Sequence, residues 1–392
     1  MNETINILHI SCTHNPDDDR IFYREGLSLK KHYSSISIIG VDKQERVDTK
    51  RGIRILAVKE ANYKKNIQEI MMEVQKQKPN LLHVHDLFIL KQAMKYAKGK
   101  KIPLIYDVHE HFPLLVKRYL PGSLLKKEAH YAMLSLLEKR ESHQASHIIT
   151  VVPQLTERFS RWNNHVTEIR NYPRKDLFQK QEGKETPKLR ILRDVAKDHI
   201  VIIYAGNISR YRNLFLMGET IKALNKESNS YIGVTLGDGE KEDIDAWKTY
   251  CNTSSGQLIH LGYVPHENIP QYLREAHLGW CVLPNYSPFT MSLPNKIFEY
   301  LACGLPFIAS NFYTICYLFK NNPAALLVSE EDPKVLSARI HTAFPHRAYL
   351  QELRKIAKKT FLNQFTWESE ESKLLDVYQQ VLGGYRNNDK IS

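Results

Sequence analysis

A chain of 392 residues, 42% hydrophobic and 25% charged, is too long for one ordinary core and has the surface to build two. Its 55 lysines and arginines against 43 aspartates and glutamates give a formal charge of +12, which points to an anionic partner without choosing among nucleic acid, anionic lipid and phosphorylated substrate. No stretch approaches the roughly 18 consecutive apolar residues of a membrane span, and five cysteines with no C-x-x-C pair fit reduced thiols, not a disulfide framework.

Residues Met1 to Ser11 lack a basic start and a small-residue cleavage site, so they read as a first strand, not a leader. Short Ile/Val-rich runs follow at Ser35–Val41, Leu81–Val84, Pro103–Val108 and His147–Val152, separated by helical stretches such as Asn66–Gln77 and Ile89–Ala97. The second half repeats the pattern with Ile200–Ala205, Ile232–Leu236, Leu258–Leu261, Leu278–Leu283 and Pro306–Ser310. Repeated βα units of this length predict an α/β chain with two doubly wound, Rossmann-like sheets. The expected division is a first domain over 1–173, a charged linker over 174–197 containing Gly183 and Pro187, a second domain over 198–362, and a C-terminal helical segment over 363–392. Open sheets of this kind bind ligands beyond the carboxyl ends of their strands, so the chemistry is expected just after strands and in a cleft between the domains.

Four post-strand segments carry reactive side chains. The first is Thr13-His-Asn-Pro-Asp-Asp-Asp19-Arg20. There Asp19 and Arg20 pair with each other or meet a substrate. The second combines Leu82-His83-Val-His85-Asp86 with Tyr106-Asp-Val-His109-Glu110. Clustered imidazoles and carboxylates suit a metal, but a neutral imidazole equally hydrogen-bonds sugar hydroxyls. The third is Tyr204-Ala-Gly206-Asn207-Ile-Ser-Arg210-Tyr-Arg212-Asn213, between a strand and the helix expected over Leu214–Leu224. Gly206 lets the backbone approach a ligand and the two guanidinium groups suit phosphate. The fourth is Ser292-Leu293-Pro294-Asn295-Lys296-Ile-Phe-Glu299-Tyr-Leu-Ala-Cys-Gly304-Leu-Pro306. It reads as a helix with Ser292 at its cap, a start that attracts anions, Lys296 adding a charge and Glu299 placed for a vicinal diol. An ordinary capped helix with a Glu–Lys surface pair has the same spacing.

This fourth segment resembles the donor-site helix of family 4 (group 1) glycosyltransferases, in the branch reading P-N-K-x-x-E-Y-x-A-x-G-x-P. The resemblance extends to Y-x-G-x-[IL]-x-x-x-[RK]-G at Tyr204–Asn213, where Arg212 takes the basic position and Asn213 the glycine. It extends also to H-x-H-D and Y-D-x-H-E around His85 and His109, to the D-x-R-[IV] turn at Arg20, to the Gly262-Tyr-Val264 loop, and to the F-x-W-E helix at the end. It implies a GT-B fold with an acceptor domain first and a nucleotide-sugar donor domain second. It implies catalytic roles for His109, Arg212, Lys296 and Glu299. Donor contacts fall to Gly206, Asn207, Arg210, Gly262, Val264, Ser292, Leu293 and Asn295, and acceptor-side contacts to Asp19, Arg20 and His85.

No metal and no cofactor are expected beyond the nucleotide-diphosphate sugar itself, and the reaction implied is transfer with retention. One departure stands out. A second glutamate usual in the family, eight residues before Glu299, is Met291 here, so backbone N–H groups of Thr290–Leu293 are expected to serve the sugar instead. The partners implied are the donor and a glycan or lipid-linked acceptor, with no nucleic acid. Basic, leucine-bearing stretches at Leu115–Leu120 and Leu124–Leu134 suit either a core-facing helix with a solvated basic side or peripheral contact with the inner face of an anionic membrane. The expected location is cytoplasmic. The rival functions are a nucleotide-sugar epimerase of the same fold, a non-catalytic nucleotide-sugar or polysaccharide binder, and a metal hydrolase on His83, His85 and His109.

Overall fold

The computed structural model describes residues 5–179, 185–226, 230–286, 289–329 and 331–388; Gly183 of the expected linker lies outside them. The chain forms two compact units, one of residues 1–171 with 367–392 and one of residues 172–366.

In the first unit, strands β1 (Asn6–Ile10), β2 (Ser35–Asp42), β3 (Arg46–Lys50), β4 (Ile53–Lys59), β5 (Leu81–Val84), β6 (Leu104–Val108), β7 (His147–Thr150) and β8 (Val166–Glu168) form one sheet of order β3-β4-β2-β1-β5-β6-β7-β8. All neighbours are parallel except β3 and β4. That exception is a hairpin turning on Arg51 and Gly52, both with positive φ (51° and 78°), the backbone that a two-residue turn requires. Polar, exposed β3 has no apolar run, which hid it from the periodicity. The strand order reverses between β1 and β5, the switch point where such sheets place ligands.

The second sheet has order β11-β10-β9-β12-β13-β14, all parallel, with strands β9 (Ile200–Ala205), β10 (Tyr231–Leu236), β11 (Leu258–Gly262), β12 (Leu278–Cys281), β13 (Phe307–Ser310) and β14 (Ala325–Val328). Its order reverses between β9 and β12. Gly279 of β12 admits the helix Asn295–Ala302 onto the sheet: a methyl group there would meet the Tyr300 ring at 2.4 Å. The Tyr300 hydroxyl donates to the Trp280 carbonyl at 2.9 Å, so the helix is locked by a hydrogen bond as well as by packing.

The segment expected to be a linker is largely structured. Lys175–Gln179 and Pro187–Asp198 are helices. Thr186 caps the second, and its Leu189, Leu192 and Ala196 are buried in the second core. Those apolar residues keep helical spacing, i, i+3, i+7, but charged neighbours dilute it to a linker-like composition. The last helix, Trp367–Asn388, belongs to the first unit: Trp367, Leu374, Val377 and Tyr378 enter its core, and the Trp367 indole donates to Ser28 Oγ at 2.8 Å.

Candidate functional site

Two groups of side chains gather beyond the strand ends, one in each unit. In the first unit the group is centred on Asp107, the penultimate residue of β6. His9 on β1 pairs in register with His83 on β5, and His83 and His85 alternate onto one face. The Arg20 guanidinium, donated by the π-helical segment Asp19–Gly26, grips Asp107 with two bonds, Nε to Oδ2 at 2.7 Å and Nη2 to Oδ1 at 2.9 Å. It also donates to the Ile169 carbonyl at 3.1 Å and to Asn171 at 2.6 Å. Glu25 lies 3.0 Å from the same Arg20 Nε, so two buried carboxylates compete for one cation. Asp107 wins. Burial alone would raise it, but Arg20, then His109 and His85, hold it well below the ordinary carboxylate range. Burial and then the Asp107 charge push Glu25 well above its usual value, and neither Glu25 oxygen has a hydrogen-bond partner.

The imidazoles are strung together. His9 Nδ1 is 3.0 Å from His85 Nε2, Tyr378 Oη is 3.2 Å from His9 Nε2 and 2.7 Å from His83 Nδ1, and His85 Nδ1 is 3.3 Å from Asp107 Oδ2. His109 Nε2 lies 3.1 Å from Asp107 Oδ2, with its side chain 14% exposed. His9, Glu25, His83 and His85, and separately His85, Asp107 and His109, bring ligand-type atoms close enough to surround an ion. The same nitrogens are taken up by one another: His9 Nδ1 faces His85 Nε2, and His83 Nδ1 faces Tyr378, with the His83 and His85 rings stacked at 4.5 Å.

Three sequence-predicted acceptor residues change role here. Arg20 is buried and saturated by Asp107 and its neighbours. His85 is buried within the imidazole chain. Asp19 is tied to Arg24 at 2.6 Å. A polar residue inside an apolar strand, as in Ile7-Leu8-His9-Ile10, was the signal that a buried network exists. Asp86 and His14 form a second partnership. Asp86 accepts from Ser11 Oγ at 2.7 Å and from the Cys12 N–H at 2.5 Å, fixing the loop after β1. Burial opposes charge on His14, yet Asp86 and then Asp18 and Glu110 lift it above the usual imidazole range.

In the second unit the group is built from glycine loops. Gly206 and Gly237 have φ of +146° and +143°, and a methyl group on Gly237 would sit 1.8 Å from the Gly206 carbonyl oxygen. The loops after β9, β10 and β11 are laced by Gly206 N–H to Leu236 (3.0 Å), Ile208 N–H to Asp238 (2.8 Å) and Gly237 N–H to Gly262 (3.0 Å). Asn207 is held by its carbonyl, which accepts from Tyr204 Oη at 2.8 Å. Asn213 takes the left-handed backbone, φ 52°, that its glycine counterpart in the family motif would take and that asparagine tolerates.

The Asn295–Ala302 helix has no side-chain cap. Ser292, expected to cap it, donates to the Phe289 carbonyl at 2.8 Å because it lies in the preceding turn. Lys296 Nζ lies 4.7 Å from the Tyr204 ring centroid and 3.2 Å from where a Gly206 side chain would begin. The Arg212 guanidinium lies 5.1 Å from the Phe289 ring centroid. Glu299 Oε1 is 3.1 Å from His266 Nε2. At the end of β12, burial pushes the Cys281 thiol up to about 11, while the charges of Lys296 and Arg212 pull it down and that of Glu299 opposes them.

Arg210, Val264 and Leu293 are held by the protein itself. Arg210 is bound to Asp243, at 2.7 Å, on the helix Lys241–Asn252. Val264 is buried in the core, and Leu293 packs against it, which leaves their backbone for any ligand. Of the four N–H groups expected to replace the missing glutamate, Thr290 and Ser292 are already bonded, to Tyr286 at 3.4 Å and Phe289 at 3.0 Å. Pro288, earlier in that loop, lies outside the described residues. His266, Tyr204, Phe289 and Cys281 were not among the expected site residues: Tyr204 opens the motif Tyr204–Asn213, but only the structure shows that its ring meets Lys296, Phe289 meets Arg212 and His266 meets Glu299.

Residues 199–344 match the family described as glycosyl transferases group 1. A comparison with curated proteins gives no match. Among solved structures, a sucrose-phosphate synthase from Thermosynechococcus elongatus is similar at 16% identity, with TM-score 0.76 over 97% of this chain and 100% of that one. Anabaena HepE in complex with UDP-glucose is similar at 14% identity, TM-score 0.72, over 96% and 99%. An α,α-trehalose 6-phosphate synthase from Burkholderia multivorans is similar at 10% identity, TM-score 0.70, over 97% and 99%. The chain has the GT-B fold, and the match to the group 1 glycosyl transferases falls within its second unit.

The buried imidazoles make stability pH-dependent. Burial holds His9 and His83 well below the ordinary imidazole value and His85 at about 4. Unfolded, each protonates as pH falls through about 6.5. Their contribution is therefore complete above that pH and lost on the way down toward the folded values. Glu25, raised in the fold, keeps its proton above the pH at which an unfolded glutamate loses it, and cancels one of the three. For this cluster the net uptake on unfolding approaches roughly two protons near pH 5, about 2.7 kcal/mol per pH unit there. Burial also holds His111, His147 and His277 at about 4, which adds to the uptake, and raises Glu138 to about 7, which offsets one of them. Calorimetry should show Tm falling steeply between pH 6.5 and 5, by roughly 5–10 °C per unit for a domain of this size. A flat Tm across that range would contradict the neutral, buried cluster.

Proposed function

We propose that this chain transfers a sugar from a nucleotide-diphosphate donor to a glycan or lipid-linked acceptor in polysaccharide or glycoconjugate synthesis. The transfer proceeds with retention at the anomeric carbon and without a metal. One observation carries the proposal: Arg212 and Lys296, beside a helix start with no side-chain cap, rest on aromatic faces, and neither has a carboxylate partner among the described residues. A cation–π contact is worth about 0.5–1 kcal/mol at an exposed site. A diphosphate therefore displaces it cheaply, whereas a salt bridge would compete. The UDP-glucose bound by HepE makes a UDP-sugar the first donor to test.

In this reading, Arg212, Lys296 and the helix N–H groups take up the charge that grows on the leaving diphosphate. Glu299, steadied by His266, accepts from the ribose diol, and His109 serves a sugar hydroxyl. The bond from the anomeric carbon to the diphosphate oxygen breaks, the acceptor oxygen attaches on the same face, and its proton passes to the departing diphosphate. Double displacement would instead need a second carboxylate about 5 Å from the first, and Glu299, the carboxylate of this site, is engaged by His266.

Peripheral membrane contact at the cytoplasmic face is part of the proposal. Leu124 and Leu125 on the helix Leu124–Ser142 are 69% and 83% exposed, and Met133, Leu136 and Tyr119 are exposed with them. Lys117, Arg118, Lys126 and Lys127 flank this apolar face, a combination suited to anionic lipid. No helix among the described residues is long and apolar enough to cross a membrane, and the five cysteines are free thiols.

With UDP-sugars and mixed glycan or polyprenyl acceptors, Arg212→Ala and Lys296→Ala should each lower kcat about 10²–10³-fold at unchanged Tm. Normal turnover in either would refute its role, and isomerisation of the donor alone would favour an epimerase. Vesicles containing phosphatidylglycerol should sediment the chain in low salt, and a Leu124→Ser, Leu125→Ser double variant should stay in solution. Equal binding to neutral and anionic vesicles, or to neither, would contradict the membrane contact.

A further inference from the structure

We propose that Asp107 is a positioning residue that sets the tautomer of His109, so that Nδ1 of His109 faces substrate as a hydrogen-bond acceptor. The inference rests on the reading that His109 meets a sugar hydroxyl, and it follows from counting donors and acceptors.

Ionised Asp107 only accepts. Its Oδ2 faces Arg20 Nε at 2.7 Å, His109 Nε2 at 3.1 Å and His85 Nδ1 at 3.3 Å, and its Oδ1 faces Arg20 Nη2 at 2.9 Å. His109 Nε2 and His85 Nδ1 are also 3.2 Å apart. His109 Nε2 has hydrogen-bond geometry to Asp107 and so carries hydrogen. We assign hydrogen to His85 Nδ1 too, because a bare lone pair there would face the anionic Oδ2 at 3.3 Å, which makes its approach to His109 Nε2 a contact between two donors. The remaining tautomers then follow in turn. Neutral His85 has a bare Nε2, which accepts from His9 Nδ1 at 3.0 Å. His9 Nε2 is then bare and accepts the Tyr378 hydroxyl at 3.2 Å. The Tyr378 oxygen in turn accepts from His83 Nδ1 at 2.7 Å. That leaves His83 Nε2 with a lone pair and no hydrogen bond, 3.8 Å from Glu25 Oε2, the side a protonated Glu25 occupies without conflict. Every hydrogen in the chain points toward one carboxylate.

His109 ends this chain at the surface. Its Nε2 is committed to Asp107, and its Nδ1 makes no hydrogen bond among the described residues and is not among the buried unsatisfied atoms. In the neutral ring that nitrogen holds a lone pair. A hydroxyl meeting His109 must donate to it.

Nitrogen-15 NMR of the histidine-labelled full chain at pH 7.5 reads these hydrogens without substrate. The expected pattern is Nδ1–H in His9, His83 and His85, and Nε2–H in His109. Nδ1–H in His109, or Nε2–H in His85, would overturn the inference, as would a bound zinc ion that stripped the cluster of its N–H groups. The second arm is Asp107→Asn. Glu25, already 3.0 Å from Arg20, can replace the lost charge and keep the fold, but one neutral amide oxygen cannot hold three donors. Turnover per folded molecule should fall about 10²-fold or more with KM changed less than about threefold. A loss of Tm with kcat intact would make Asp107 merely structural. If the tautomers appear as expected and no acceptor is glycosylated, the functional reading fails and the hydrogen-bond assignment stands.

Discussion

The grip of Arg20 on Asp107 is the interaction on which the first unit's interior depends. Two carboxylates, three imidazoles and a tyrosine are buried at the carboxyl ends of β1, β5 and β6 around one guanidinium. Removing one member of such a pair typically costs about 3–5 kcal/mol because the other is left charged and unpaired. The shortage of cations also explains the rest of the cluster. With Arg20 committed to Asp107, Glu25 keeps its proton, and the imidazoles stay neutral and satisfy one another. The last helix is recruited into the same network by Tyr378, so the chain's end is bound to the first unit by polar chemistry as well as by Trp367 and Leu374 in the core.

The second unit solves the opposite problem. Its functional end is rich in cations and poor in partners. Glycine loops bring backbone so close that a single methyl group on Gly237 or Gly239 would collide with the neighbouring carbonyl, at 1.8 and 2.1 Å. Around that floor, Lys296 and Arg212 wait on the rings of Tyr204 and Phe289. The helix that bears Lys296 and Glu299 keeps its place because Gly279 admits Tyr300. Its open N-terminus follows from Pro294 at the cap position, which brings no capping side chain. Site and core are therefore one construction: the glycines and aromatics that pack the sheet end also hold Lys296, Arg212 and Glu299 where the proposed function needs them.

The sequence made the second unit's site more legible than the first's. Arg212, Lys296 and Glu299 lie in contiguous motifs whose spacing maps onto one helix and one turn, and Asn213 even preserves the glycine backbone of its motif. The Asp107 network was not legible, because its members come from five separated segments and meet only through strand register. Arg20 and His85 looked like surface contacts since a motif cannot show burial. The fold itself was readable wherever strands were apolar on both faces. It was missed at β3, which is polar, at three-residue β8, at β4 and β14, whose apolar runs are short and flanked by charged residues, and in the helix Pro187–Asp198, whose three buried residues sit among charges. The leucines of Leu124–Ser142 have an amphipathic composition in sequence, and only the structure shows that Leu124, Leu125 and Leu136 face outward while Leu134 is buried.

The central claim is that the second unit binds a nucleoside diphosphate through Arg212, Lys296 and Glu299. Thermal unfolding of the full chain with UDP, GDP, dTDP and ADP, each with and without EDTA, tests it directly. A ligand at 100 times its Kd adds about 2.7 kcal/mol of stability. The account predicts that one of these nucleotides raises Tm, equally in the presence of chelator, and that Glu299→Ala abolishes the rise. No shift with any of them at millimolar concentration would contradict it.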